Sequence, residues 1–385
     1  RPPRSTLFPY TTLFRSNLET NLTIASYFND NIAPERLLRY LEASTGERII
    51  PGETLIIFDE IQSCERALTA LKYFCEETPE FHIAAAGSLL GVAINRQQYS
   101  FPVGKVETIT LYPLDFEEYL WARGKEFLCG EIRTAYETME PLPDALHQEA
   151  IELYREYLII GGMPACINAF LKSGSFLDVP LVQSEILDNY IADMAKYASN
   201  TDSVKIRACY NSIPAQLAKD NKKFQYKVVQ KGGSATLFGA SIEWLNLAGV
   251  VLKCQRINQA FEPIAVYADL SAFKLYMGDV GLLTMKSGLS QQTVLSGEGN
   301  TFMGAVTENY VAQQLAAKSY DLYYWESSST AELDFVLQKG NQIIGIEVKK
   351  GEHVRSRSLG VFADSYKPAY SIRLSLKNFG EKDGL

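Results

Sequence analysis

"TLIIFDEIQ", residues Thr54–Gln62, decides how this chain is read. Leu55–Phe58 are consecutive apolar residues, and Asp59 and Glu60 follow at once. Such a run predicts a strand buried on both faces, as in a parallel sheet, with the acids delivered at its C-terminal end. In open α/β sheets that end is where ligands bind. Alone, the run also fits a core strand entering an acidic turn, so the sequence downstream decides. "ERALTALKYFCEE" (residues 65–77) spaces Leu68, Leu71 and Phe74 as a helix does. "FHIAAAGSLLG" (Phe81–Gly91) reads as a second, small-residue strand ending at Gly87 and Ser88. Strand, helix and strand in that order predict a nucleotide-binding α/β domain.

Composition bounds the rest. With 385 residues and 46% hydrophobic content, the chain can bury sizeable cores, and at roughly 150 residues per domain it holds two or three. No apolar run approaches the roughly 20 residues that span a bilayer, so no membrane segment is expected. The six cysteines contain no CxxC pair, which predicts thiols in the reducing cytoplasm and neither a disulfide framework nor a zinc site. Three scattered histidines argue against a His-based metal site or triad. The net charge of −8 excludes a generally basic nucleic-acid coat, so any DNA contact must come from a local patch.

The strand ending in Asp-Glu has the form of a Walker B strand. In that reading Asp59 holds Mg²⁺ through water, Glu60 polarises the water attacking a γ-phosphate, and Ser88 is the sensor beside that phosphate. Together with "FPVGKVETITLYPLDFEEYL" (Phe101–Leu120) and "GGMP" (Gly161–Pro164), these residues resemble the AAA-class P-loop ATPases of bacteria and archaea that carry a C-terminal domain of unknown function. The resemblance runs from Asn17 onward, and "LYPLDFEEYL" is its most specific piece. It implies ATP and Mg²⁺ as cofactors. It makes Lys105, just after Gly104, a candidate γ-phosphate contact, where the bland alternative is a solvated turn lysine.

One departure is decisive. The phosphate-cradling loop, GxxxxGK followed by Ser or Thr, occurs nowhere in the sequence. Its place, upstream of "NLETN" (Asn17–Asn21), is held by "RPPRSTLFPYTTLFRS" (Arg1–Ser16), which resembles the in-frame translation of a common sequencing-library adapter. Residues 1–16 are therefore expected to be an artefact outside the fold, and this polypeptide is expected to bind ATP poorly or not at all. The closing "LSLKNFGEKDGL" supplies no obvious final element, which raises the same expectation of truncation at that end.

Residues 17–122 are thus expected to form a partial P-loop NTPase core, and 123–205 a helical lid or connector with i, i+3, i+4 apolar spacing. Residues 206–262 read as helix, basic turn, helix and strand, the order of a winged helix with "GASIEWLNLAG" as its recognition-type helix. Lys219, Lys222, Lys223, Lys227, Lys231, Lys253 and Arg256 make this stretch basic. Winged helices dock in DNA or mediate protein contacts, and both partners stay open here, as does self-association.

Residues 263–385 hold the second chemical motif. "FMGAVTENYVAQQLAA" reads as a helix, and "LYYWESSSTAELDFVLQKGNQIIGIEVKKG" as a three-strand meander with a tight turn at Lys339–Asn341. The period of two places Glu347 and Lys349 on one face, Asp334 on the partner strand and Glu308 on the helix before. Three carboxylates and a lysine converging there suit metal-assisted phosphodiester hydrolysis, with Glu308, Asp334 and Glu347 on Mg²⁺ and Lys349 orienting the water. The four resemble the PD-(D/E)xK nuclease superfamily, although "ELD" stands where a proline would precede the aspartate. Arg355, Arg357 and Lys367 downstream are candidate phosphate contacts. The leading expectation is an α/β ATPase coupled to a DNA-acting, nuclease-like domain. The rival is a non-catalytic module, ATP-switched, that holds nucleic acid or protein on a degenerate nuclease fold.

Overall fold

The computed structural model describes residues 10, 12–88, 102–196, 198–297, 300–327, 331–351 and 357–380. It divides into two compact units, residues 1–110 with 247–249 and residues 111–246 with 250–385.

The first unit runs β1 (Thr12–Asn17), α1 (Leu22–Asp30), α2 (Pro34–Thr45), β2 (Thr54–Asp59), α3 (Glu65–Glu77) and β3 (His82–Ala85). The strands form one parallel sheet, with β2 in the middle. Burial along β2 alternates: Thr54, Ile56 and Phe58 are buried, while Leu55, Ile57 and Asp59 are half-covered. The expectation of a strand buried on both faces is corrected accordingly. The three helices send Ile24, Phe28, Leu37, Leu41, Leu68 and Phe74 into a single core with Ile56 and Phe58, so one face is sealed and the other only partly. β1 is a second correction. Thr12–Ser16, expected to lie outside the fold, pair in register with β2 from Thr12–Thr54 to Asn17–Asp59. The local pattern explains this, because "TLFRSN" alternates and turns Phe14 and Ser16 inward.

The second unit begins with helices α4 (Phe116–Ala122), α5 (Glu126–Thr138), α6 (Asp144–Ile160), α7 (Pro164–Ser173), α8 (Val179–Lys196), α9 (Asn200–Leu217), α10 (Tyr226–Val229) and α11 (Ala235–Leu247). It continues with β4 (Val251–Ile257), β5 (Ala268–Met277), α12 (Val280–Ser287), α13 (Gln291–Ser296), α14 (Met303–Ala317), β6 (Tyr323–Glu326), β7 (Glu332–Lys339), β8 (Gln342–Val348), α15 (Arg357–Tyr366) and β9 (Ile372–Leu374). All six strands make one sheet in the order β5-β4-β6-β7-β8-β9.

That sheet redraws the expected domains. Three helices precede the β4–β5 hairpin, and the hairpin is no separate wing. β4 pairs in parallel with β6, Gln255 with Tyr323 and Ile257 with Trp325, so the sheet crosses the boundary expected at 262/263. Burial of Cys254, Ile257, Tyr324 and Trp325 cements the joint. The boundary expected at 122/123 also moves, because "LYPLDFEEYL" folds with the second unit.

Helix α14 is buried nearly all round, including the polar Glu308, Asn309 and Gln313. Each has a partner, as buried polar groups require. Asn309 accepts from the Met277 amide (2.7 Å) and donates to its carbonyl (3.0 Å), and Gln313 accepts from the Val280 amide (2.8 Å). Among the described residues no helix is long and apolar enough to cross a membrane.

Candidate functional site

At the C-terminal edge of the first sheet, Asp59 ends β2, and Glu60 adopts a left-handed backbone (φ 52°), an uncommon conformation for a residue with a side chain. The turn is held by hydrogen bonds: Leu18 N donates to Asp59 O (2.8 Å) and Ile61 N to Ala86 O (3.0 Å). Both carboxylates have protein partners. Arg15 Nη2 lies 2.5 Å from Asp59 Oδ2, and Gln62 Nε2 donates to Glu60 Oε2 at 2.5 Å. Ser88 is exposed in the turn after β3. Lys105 does not reach out to solvent alone, because its ammonium pairs with Glu76 on α3 at 3.0 Å. Hydrogen bonding to Glu76, backed by its charge, holds the Lys105 pKa above the ordinary value.

The contact of Asp59 with Arg15, whose side chain is 65% exposed, is a surface pair worth about 0–1 kcal/mol. The phosphates of a nucleotide are a different matter, since the sequence contains no GxxxxGK[ST] loop to cradle them.

In the second unit, Glu308 on α14 and Asp334 on β7 meet, as the spacing implied. What meets them is Lys274 of β5, its side chain only 1% exposed. Lys274 Nζ lies 2.5 Å from Glu332 Oε1, 3.9 Å from Glu308 Oε2, 4.0 Å from Asp334 Oδ1 and 4.9 Å from the Tyr324 ring centre. Lys222 pairs with the other oxygen of Glu308, and Tyr276 OH donates to Glu308 Oε2 at 3.2 Å. Val348 N fixes Asp334 Oδ2 at 2.8 Å. Glu347 pairs with Lys349 at 2.7 Å, and its Oε2 is buried without a partner.

The electrostatics divide the charge. Burial by itself would depress the Lys274 pKa, but Glu308, Glu332 and Asp334 together hold it well above normal. Glu308 is kept below its ordinary value, because Lys274 and Lys222 outweigh its burial. Asp334 is pushed up by burial and by the charge on Glu308. Of the expected Mg²⁺ ligands, Glu308 and Asp334 lie beside Lys274, and Glu347 pairs with Lys349. Among the described residues no group of three or more acids, histidines or cysteines is arranged for a metal, and an ammonium already sits where the carboxylates converge.

Four of the seven cations in the basic stretch are paired internally. Lys222 pairs with Glu308, Lys223 with Glu326, Lys253 with Glu243, and Arg256 with both Asp269 and Glu326. Only Glu243 among these acids lies in the stretch itself; the others arrive by folding. Arg357 opens α15, Lys367 follows it, and Arg355 lies outside the described residues.

Sequence reasoning missed Lys274, although "AFKLYM" carried the signal: a lone lysine in an apolar strand, in step with Tyr276. It also missed Asp279. This carboxylate, 2% exposed, accepts from Gly162 N (2.6 Å) and Leu282 N (2.9 Å), and burial pushes its pKa up to about 6. Gly162 O in turn accepts from Leu114 N (2.8 Å), and Tyr157 OH donates to Leu114 O (2.5 Å). Asp115 forms a capping box with Glu118 and pairs with Lys318 (2.6 Å), and Phe116 N donates to Gln314 (2.9 Å). "LYPLDFEEYL" and "GGMP", far apart in sequence, are thus two sides of one buried polar junction.

Comparison with known proteins gives three family models that tile most of the chain. Residues 151–293 and 303–385 match two domains of unknown function, DUF8612 and DUF4143. Two mycobacterial proteins described as uncharacterized, Mb2031c of Mycobacterium bovis and Rv2008c of Mycobacterium tuberculosis, are each 37% identical over 79 residues, which is 20% of this chain and 18% of theirs. The chain thus spans less than a fifth of these curated relatives. Among solved structures, the Walker-type ATPase PABY2304 of Pyrococcus abyssi is similar at a TM-score of 0.42 and 12% identity, over 72% of this chain and 84% of that one. The third model, an AAA domain, matches residues 10–120, the stretch that carries Asp59, Glu60 and Ser88.

Proposed function

We propose that the chain carries the hydrolytic edge of an ATP-driven switch, followed by a C-terminal unit that holds a nucleic-acid or protein partner without cleaving it. The observation that carries the first half is the adjacent Asp59–Glu60 pair at the C-terminal edge of an all-parallel sheet, inside the residues matched by the AAA domain. Asp59 would hold Mg²⁺ through water in exchange for Arg15. Glu60 would take a proton from the attacking water, and Ser88 would orient that water or the γ-phosphate. Mg²⁺, when bound, supplies charge neutralisation at the phosphates. Lys105, tied to Glu76, is a weaker candidate for that role. For the second half, the internal neutralisation of Glu308 and Asp334 favours binding over metal-dependent hydrolysis on a nuclease-like scaffold.

Two experiments test this. In the first, a strand–GxxxxGKS/T–helix segment replaces residues 1–16, and ATP turnover is measured. Turnover should appear and fall at least 100-fold with Glu60→Gln, about the effect of a lost general base; turnover indifferent to Glu60 refutes the assignment. In the second, plasmid DNA is incubated with the protein and Mg²⁺ or Mn²⁺. Cleavage abolished by Lys349→Ala would overturn the binding reading.

A further inference from the structure

We propose that Lys274 is the resident cation of the carboxylate cluster, standing where a divalent metal ion would otherwise be held, so that replacing its side chain uncovers a metal site. This rests on the reading of the C-terminal unit as non-catalytic. Three acids on separate positions, Glu308, Glu332 and Asp334, direct an oxygen to one centre, and that centre is Nζ of a side chain with 1% exposure. Two of the remaining oxygens are already assigned: Lys222 takes that of Glu308, and the Val348 amide takes that of Asp334. A second observation points the same way. Phe335 pairs with Ile346 across β7 and β8, so Asp334 and Glu347 are cross-strand neighbours, and Glu347 Oε2 is buried with no partner. Lys349 pairs with the other oxygen of Glu347, and Oε2 is left open to a further donor or cation.

Lysine and a divalent ion are alternatives here for simple reasons. Carboxylates gathered in a dry pocket repel one another unless a positive charge is shared among them. The ammonium supplies that charge with one short contact and two near 4 Å, on a tether that cannot leave. A metal would supply it by drawing the oxygens to about 2.0–2.6 Å, and Nζ fills the space this needs. Without the ammonium, the cluster must capture a proton or a metal.

The test uses the full chain and Mn²⁺ as the probe, with bound ion counted by electron paramagnetic resonance and stability followed by thermal melting. Wild type should hold no Mn²⁺ at the cluster and show no Mn²⁺-dependent rise in Tm. Lys274→Met should melt lower in metal-free buffer, bind one equivalent of Mn²⁺ that is lost on adding Asp334→Asn, and regain Tm with Mn²⁺. Lys274→Arg, which keeps a cation, should behave as wild type. If Lys274→Met does not fold without metal, refolding with Mn²⁺ should recover it, and failure to recover counts against the proposal. A wild-type Mn²⁺ site that Asp334→Asn abolishes overturns it. So does a folded Lys274→Met chain that neither binds Mn²⁺ nor gains Tm. Plasmid cleavage by wild type would sink the non-catalytic reading, whereas a metal-blind Lys274→Met chain sinks only the role of Lys274.

Discussion

Gly162→Ala tests whether the polar junction organises the second unit. A Cβ built at Gly162 would lie 2.1 Å from Leu114 O, 2.9 Å from Leu114 N and 2.9 Å from Tyr157 OH. Ordinary non-bonded separations start near 3.5 Å, so the two chain segments must part by roughly 1 Å. The parting strains three hydrogen bonds at once: Leu114 N to Gly162 O, Gly162 N to Asp279, and Tyr157 OH to Leu114 O. Neutral bonds of this kind contribute about 1 kcal/mol each and a charged one about 1.5–3, so a net loss of about 3 kcal/mol is expected after partial relaxation. For a unit of this size, that lowers Tm by roughly 6–12 °C. Gly130→Ala is the control with the opposite sign. Gly130 sits exposed inside α5 with nothing within 4 Å of its virtual Cβ, and alanine there should stabilise by about 0.5–1 kcal/mol. Thermal melting of both variants decides the matter. If Gly162→Ala melts within about 2 °C of wild type, the junction is not the rigid contact described.

Asp115→Ala removes the capping-box acceptor of α4 and the partner of Lys318, and should cost about 1–2 kcal/mol in urea denaturation. The pH dependence of stability has a worked sign at Asp279. Burial raises its pKa to about 6, so its contribution is present below the ordinary carboxylate range and is lost as pH rises through about 6. The shift of roughly two units corresponds to about 3 kcal/mol, and Asp279→Asn should flatten this decline between about pH 4 and 6; an unchanged slope would refute the burial argument. If the chain binds DNA, Lys223→Ala and Lys253→Ala should leave the salt dependence of binding unaltered, because both lysines are spent on Glu326 and Glu243. A slope reduced by about one per lysine would show that they face phosphate instead. Finally, a chain starting at Leu111 should melt well above one starting at Arg123, since the latter lacks Leu114, Asp115 and Phe116 from the junction; equal melting would remove that role from "LYPLDFEEYL".

Local pattern made the elements legible. The apolar run before Asp59 announced its strand, the turn at Lys339–Asn341 announced the β7–β8 hairpin, and helical spacing announced α6 and α8. Long-range pairing did not show. Nothing local in "VLKCQRI" states that β4 lies beside β6, so a hairpin that joins a larger sheet looks the same as a free wing. The same holds for charge. Lys222 and Arg256 read as a surface patch because their partners, Glu308, Asp269 and Glu326, lie up to 86 residues away. Glu308, Asp334, Glu347 and Lys349 are singled out by spacing, and the structure brings Glu308 and Asp334 to Lys274 and pairs Glu347 with Lys349. The cation that changes their meaning, Lys274, came from a strand outside the motif.

The junction lies wholly within the second unit. The AAA match extends to residue 120, yet residues 111–120 belong to the second compact unit, where Leu114, Asp115 and Phe116 are bonded to Gly162, Lys318 and Gln314. The end of the sequence that resembles an ATPase is therefore physically part of the C-terminal fold. Buried hydrogen bonds to backbone carbonyls and an amide side chain give that end little freedom to shift without disturbing α6 and α14. Asp279 adds sensitivity, because a carboxylate buried at a cost, with a pKa of about 6, keeps the junction close to a charge change. These bonds fasten residues 114–116 to helices α6 and α14 of the same unit.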